Sequence, residues 1–321
     1  MERIFIKDLK AGQSIDTELL LKHKELQRTK TNKPYLKISL ADKSGSIEGR
    51  MWDNAEAADS IVDIGMVVSV KGSIELWRDL TQIKVEDIKP AGAGTYAAAD
   101  LIRAVENAEE IFTKVKGYLN EITNEHVRGL VDKFLEDKDF IKRFKASPGA
   151  RSWHNAYIGG LLEHTFEVMT IVHKACELYP IVDRDICLAG ALLHDIGKIY
   201  ELDPVTFEYT VEGGLIGHLP IGFEMLSRKI DGISGFPAAL ATHLKHVILS
   251  HHGEYEQQSP VLPKTLESTI VYQADELVSQ ANAVQELIRA QSASGKDWTN
   301  FVTIKNRKYF LKGKQTTQVD K

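Results

Sequence analysis

Residues 192–198 read LLHDIGK, placing a histidine and an aspartate at the end of an apolar run, with a lysine within one helical turn. Buried ionisable groups are costly unless something pairs or coordinates them. The core stripe leading to His194 includes Leu188 and Leu192, which predicts a helix over 185–197 with the imidazole at its inner end. Asp195 lies about 100° further round, so the two side chains can approach one ion from different sides. Imidazole and carboxylate together suit a divalent cation, and coordination relieves the burial cost. Lys198 follows His194 by four residues, on the same predicted face. It puts an ammonium where a substrate phosphate needs one.

Further donors lie on other predicted helices. His164, in GGLLEHTFEV, shares a face with Leu161, Val168 and Ile171 and points inward. His218 follows the glycines of GGLIGHLPIG at a predicted helix start. LSHHG ends a helix with His251 and His252, and His251 continues the stripe Leu244, Val247, Ile248. Adjacent helical residues diverge, so only one of the two need reach an ion. Asp275 lies with Val271 and Val278 on an apolar face. Each has an ordinary reading alone: a lone inward histidine is more often a hydrogen-bonded core residue, and His-His before glycine can be a helix end stabilised by its dipole. The ordered set His, His-Asp, His, His-His, Asp over residues 164–275 favours a metal site. His23, His126, His173, His243 and His246 are assigned to surface or packing.

Outside this region the period changes. In PYLKISL, Leu36, Ile38 and Leu40 alternate with Tyr35, Lys37 and Ser39; DKSG at 42–45 is a turn, and SIEGRMW resumes with Ile47 and Met51 on the apolar side. MVVSVKGSIELW and TQIKVEDIKP read as two further strands, and such spacing suggests a small closed or partly closed barrel within residues 1–90. Tyr35 and Lys37 share one parity, Arg50 and Trp52 another, so aromatics and cations share the outer face, as single-stranded nucleic acid binding requires. The net charge of −5 conceals a basic strip: Lys22, Lys24, Arg28, Lys30, Lys33 and Lys37 face only Glu25 within residues 22–37. PAGAGTYAAAD, at 90–100, has the composition of a domain boundary. Helices are predicted over about 101–145, 161–178, 218–230, 238–252 and 265–290. The basic KNRKYFLKGK precedes a polar end. Two cysteines supply neither a disulfide framework nor a thiolate zinc cluster, and no stretch has the length or apolarity of a signal peptide core or a membrane span, so a cytoplasmic protein is expected.

The order His164, His194–Asp195, Asp275 resembles the signature of the HD-domain metal-dependent phosphohydrolases, and His218 and His251 match the extra ligands of members holding two metals. The longer phrases WHNAYIGGLLEHT, LLHDIGK, YTVEGGLIGH and LSHHG, behind a barrel of oligonucleotide-binding (OB) type, resemble the YhaM-type 3′→5′ exoribonucleases over nearly the whole chain. The resemblance implies a multi-domain α and β chain: a small N-terminal OB-type β-barrel (1–90), a linker (91–100), bridging helices (101–145), an all-α HD-domain helical bundle (146–300) and a basic C-terminal tail (301–321). It implies that Asp195 bridges two ions, with His164, His194 and Asp275 completing one ligand set and His218 with His251 the other. Asp195 and Lys198 are the expected catalytic residues, and manganese the expected metal, although His and Asp donors also admit Fe, Co, Ni or Zn. Where family members often carry His-His, this chain has His154–Asn155; His154 and His252 are assigned to metal or substrate. Tyr35, Lys37, Arg50 and Trp52 are the expected nucleic-acid contacts.

The expected function is metal-dependent trimming of single-stranded RNA, and of DNA as a second candidate, from the 3′ end; oligomerisation stays open. Two alternatives remain. An HD nucleotidase or cyclic-dinucleotide phosphodiesterase has no need for a stacking barrel, and HHGEYEQQSP lacks the Gly-Tyr-Pro signature of the latter. A nucleic-acid-binding protein with a purely structural metal has no need for Lys198.

Overall fold

The structure is a computed structural model that describes residues 4–77, 80–92, 94–97, 100–151, 155–291, 296–302 and 305–311. Five strands, β1 (Ser14–Arg28), β2 (Pro34–Asp42), β3 (Gly45–Met51), β4 (Val67–Trp77) and β5 (Leu80–Pro90), close a barrel in the order β1-β2-β3-β5-β4. β3 and β5 pair in parallel, and the other neighbours are antiparallel. The expected alternation fills the interior: Leu36, Ile38, Leu40, Ile47 and Met51 are buried together with Ile74, Ile83 and Val85. A short helix, α1 (Ala55–Ile61), adds Ala55 and Ala58 to that core.

The individual strand readings lacked β1, for a physical reason. Its first half pairs with β4 and its second with β2, and a register shift between Leu21 and His23 separates the halves. Leu19, Leu20 and Leu21 are therefore buried in succession, which erases the period of two. A second irregularity falls at Gly72 of β4, where a Cβ would lie 2.3 Å from the carbonyl oxygen of Lys84; only glycine fits there.

Ten helices complete the described chain: α2 (Ala108–Leu119), α3 (Glu125–Leu135), α4 (Lys138–Ala146), α5 (Gly160–Leu178), α6 (Arg184–Leu193), α7 (Lys198–Glu201), α8 (Val211–Ile216), α9 (His218–Asp231), α10 (Ala238–Ser250) and α11 (Leu266–Gln291). One apolar core, separate from that of the barrel, runs through all of them but α8. The segment expected to bridge the domains puts Phe112, Leu119, Phe134 and Phe144 into this core beside Leu161, Leu188, Val247 and Val271. The linker returns to the barrel at Asp100, which pairs with Lys43 at 2.7 Å. A second seam places the Lys22 ammonium 3.6 Å from the centre of the Phe207 ring. Among the described residues no helix is long and apolar enough to cross a membrane.

Candidate metal centre and nucleic-acid face

The helix predicted over 185–197 stops at Leu193, and residues 194–197 form turns before α7. That break corrects one expectation. Lys198 faces Asp195 rather than His194, and its Nζ donates to Asp195 Oδ2 at 2.7 Å. His194 caps α6, His164 sits in the first turns of α5, and Asp275 lies midway along α11. His218 opens α9 behind Gly217, and His251 caps α10. Five helices thus deliver donors to one place, and all but His218 and Asp275 of these side chains are fully buried.

The donors form two groups, His164, His194, Asp195 and Asp275 in one and His218, His251 and His252 in the other. In the first, His164 Nε2 lies 3.3 Å from His194 Nε2, 3.5 Å from Asp195 Oδ2 and 3.1 Å from Asp275 Oδ1. His194 Nε2 lies 3.3 Å from Asp195 Oδ2. The other carboxylate oxygen, Asp195 Oδ1, is 3.4 Å from Nε2 of both His218 and His251. His252, the less secure histidine of its pair in the sequence, joins this group with Nε2 3.1 Å from that of His218. His154 lies outside the described residues. Its neighbour Asn155 stands apart from both groups, bound to Tyr157 and to Asn282.

Four rings show which nitrogen faces the centre. Nδ1 of His194 donates to the Ala191 carbonyl, that of His251 to Ile248, that of His252 to Gln257 and that of His218 to the Glu201 carboxylate. Carbonyls only accept, so in the neutral rings each Nε2 carries a lone pair into the cluster. Lone pairs of His218 and His252 facing one another at 3.1 Å repel unless a cation lies between them. Ligands about 2.1 Å from one ion, at angles of about 90–110°, stand about 3.0–3.4 Å apart. The observed spacing fits that geometry. Asp195 Oδ1 and His251 Nε2 are buried without a hydrogen-bond partner among the described residues, a costly arrangement that coordination would resolve.

The electrostatics point the same way. Burial opposes the Asp195 carboxylate, yet Lys198 and His194 hold its pKa well below the ordinary range. Burial likewise opposes the Lys198 ammonium, and Asp195 and Asp275 keep its pKa above the usual value. Desolvation and the nearby His251 push His252 down to about 3, leaving it neutral and able to donate a lone pair. A cleft of about 210 Å³ opens onto this wall, lined by Lys198, His251, His252 and Asp275, and on α11 by Glu276 and Gln280.

Sequence reasoning missed Glu201. Its carboxylate is buried and accepts from both the backbone N and Nδ1 of His218, at 3.0 and 2.9 Å. Nothing local marks it; only the turn from α7 through α8 to α9 brings positions 201 and 218 together. On the barrel, Tyr35 and Trp52 stack with ring centres 4.8 Å apart, and Lys37 and Arg50 are cross-strand partners. All four are half-buried on the outer face. Two further residues extend it: Lys84 pairs with Arg50 across β3 and β5, and the half-exposed Trp77 ring lies 5.5 Å from the Arg50 guanidinium.

This architecture, an OB barrel joined to a helical unit with an HD metal cluster, defines a class, and comparison agrees. The HD domain family matches residues 161–279, and an OB-fold nucleic acid binding domain family matches residues 22–91. The 3′-5′ exoribonuclease YhaM of Listeria monocytogenes serotype 4b is 33% identical over 289 residues, covering 88% of this chain and 90% of that protein. YhaM of a Geobacillus species is 30% identical over 304 residues, covering 93% and 92%. The chain belongs to the YhaM 3′-5′ exoribonuclease family. Its HD domain implies divalent metal binding.

Proposed function

We propose that this protein removes nucleotides from the 3′ end of single-stranded RNA by divalent-metal-dependent hydrolysis. The observation that carries the reading is Asp195: one oxygen faces His164 and His194, the other His218 and His251, and Lys198 stands beside it at the cleft. A carboxylate so placed would serve two ions at once. His164, His194 and Asp275 would hold one ion, His218 and His251 the other, and His252 would add a donor to the second. Divalent cations at such a site supply Lewis acidity and lower the pKa of water. Lys198 places its ammonium against the phosphoryl oxygens, where charge grows as the diester is attacked. Manganese is the preferred ion.

The barrel holds the strand. Tyr35 and Trp52 offer ring faces to bases, and Lys37 and Arg50 offer cations to phosphates. Stacking is indifferent to the sugar, so single-stranded DNA is a second substrate for the same face. The division we adopt ends the barrel near residue 90 and begins the hydrolytic unit at 101, because α2–α4 share its core. The free, buried Cys176 and Cys187 accord with a reducing cytoplasm.

The test is incubation of metal-stripped protein with 5′-labelled single-stranded RNA and DNA, restoring Mn²⁺ or another divalent ion in turn. A ladder that shortens from the 3′ end, only with metal, is expected. Internal cuts, or hydrolysis of free nucleotides alone, would overturn the reading.

A further inference from the structure

We propose that Lys305, presented by a C-terminal hairpin, forms an anion subsite for the second phosphate from the 3′ end of the bound strand. The proposal rests on the exoribonuclease reading and extends it to a segment outside the HD region. Residues 296–302 and 305–311 turn back on themselves. Trp298 bridges to Phe310, Val302 bridges to Arg307, and Leu311 N donates to the Asp297 carbonyl at 2.8 Å. Trp298 and Phe310 pack with ring centres 5.1 Å apart, and Val302 and Leu311 are buried. Asn306 takes a left-handed φ of 49°, which asparagine tolerates well, and closes the turn that carries Lys305. Residues 305–311 are thereby held near α11, with Lys305 beside Glu276 and Asn300 N donating to Gln291.

The result is a second cation on the catalytic cleft. Lys305 lines the same cavity as Lys198, His251 and Asp275. Its described partner is Glu276, at 3.8 Å, beyond hydrogen-bond reach, and both side chains remain about a quarter exposed. Such a pair contributes little to stability. Lys305, Glu276 and Asp275 all line this cleft, and Lys198, on the same wall, lies against Asp195. A strand whose scissile phosphate meets Lys198 carries its next phosphate along the cleft. Lys305 is placed to receive it, and the exposed Arg307 and Lys308 follow it in the chain.

A dinucleotide has one phosphate and a trinucleotide two, which separates the subsite from the reaction centre. With the full-length, Mn²⁺-loaded protein, Lys305→Ala should raise KM for an RNA trinucleotide about 10-fold more than for a dinucleotide. The salt dependence for a longer strand should weaken by about 0.7 in log–log slope. Lys305→Arg should restore both. Glu276→Gln should not reproduce the length-dependent loss, since only the cation meets phosphate. No rise, an equal rise for both lengths, or the same rise in Glu276→Gln would overturn the subsite while leaving the exoribonuclease reading standing. A wild-type protein that spares RNA altogether would overturn that reading and the subsite with it.

Discussion

The barrel face and the metal cluster are both built from residues that escape the apolar pattern, yet they are balanced in different ways. On the barrel, the polar and aromatic groups satisfy one another: Tyr35 stacks on Trp52, and Lys37 pairs with Glu48 at 3.3 Å. The face is half-exposed and needs no ligand to be stable. In the cluster, buried donors converge at 3.1–3.5 Å, and Asp195 Oδ1 and His251 Nε2 lack a hydrogen-bond partner among the described residues. A bound cation would satisfy that region. Binding spread over a self-satisfied surface should decline gradually under mutation, whereas chemistry concentrated in a buried cluster should fail at once.

The sharpest break of this contrast is Asp195→Ala. It removes the one carboxylate that faces both donor groups, so hydrolysis should fall on the order of 10⁴-fold or more, as for residues that act as a unit. Metal analysis should show lost occupancy in a protein that still folds; full occupancy would remove Asp195 from the ligand set. Lys198→Ala should lose rate by on the order of 10²-fold or more while keeping its metal, because an ammonium is no ligand. Turnover equal to wild type would reduce Lys198 to a partner of Asp195.

Glu201→Gln refines the picture within the cluster. Calorimetric titration should show metal affinity weakened by roughly 10–100-fold at the His218 side alone, since the carboxylate fixes that ring. An equal loss at both sites would mean that the turn from α7 to α9 has collapsed instead.

How far the sequence foretold these regions differs between them in an instructive way. The barrel interior was legible from the alternation in 34–40 and 46–52, and the helical donors from their place on apolar stripes. β1 was hidden because a strand shared between two neighbours buries consecutive leucines. The face on which Lys198 lies was misjudged because α6 ends at Leu193, four residues before Gly197, the only breaker in the stretch. Glu201 carries no local signal, and Lys305 is marked only as the start of a basic run; each gains its place from a residue brought near by the chain's return, His218 in one case and Glu276 in the other.

On the barrel, Trp52→Ala or Tyr35→Ala should weaken binding of single-stranded RNA by roughly 1–3 kcal/mol each. Because the two rings touch, the double variant should lose less than the sum. Strict additivity in a fluorescence titration would show that each ring meets its own base independently.

The smallest effect concerns the seam. Burial pushes the Lys22 ammonium down to about 8. Between that value and the ordinary one near 10.5 the unfolded chain binds more protons, so stability should rise with pH through that window. Lys22→Met should flatten the rise in urea midpoint; an unchanged slope would place Lys22 in solvent.

The central claim is that one region holds the strand and the other cuts it. Affinity for a 5′-labelled single strand and its rate of shortening, measured together on Asp195→Ala and on the Tyr35→Ala, Trp52→Ala double variant, test it most directly. The account predicts that Asp195→Ala binds within a few fold of wild type and yields no ladder. The double variant should bind about 10-fold or more weaker yet shorten saturating RNA at close to the wild-type rate. Loss of binding in Asp195→Ala to match its loss of hydrolysis, with unaltered affinity in the double variant, would contradict the division.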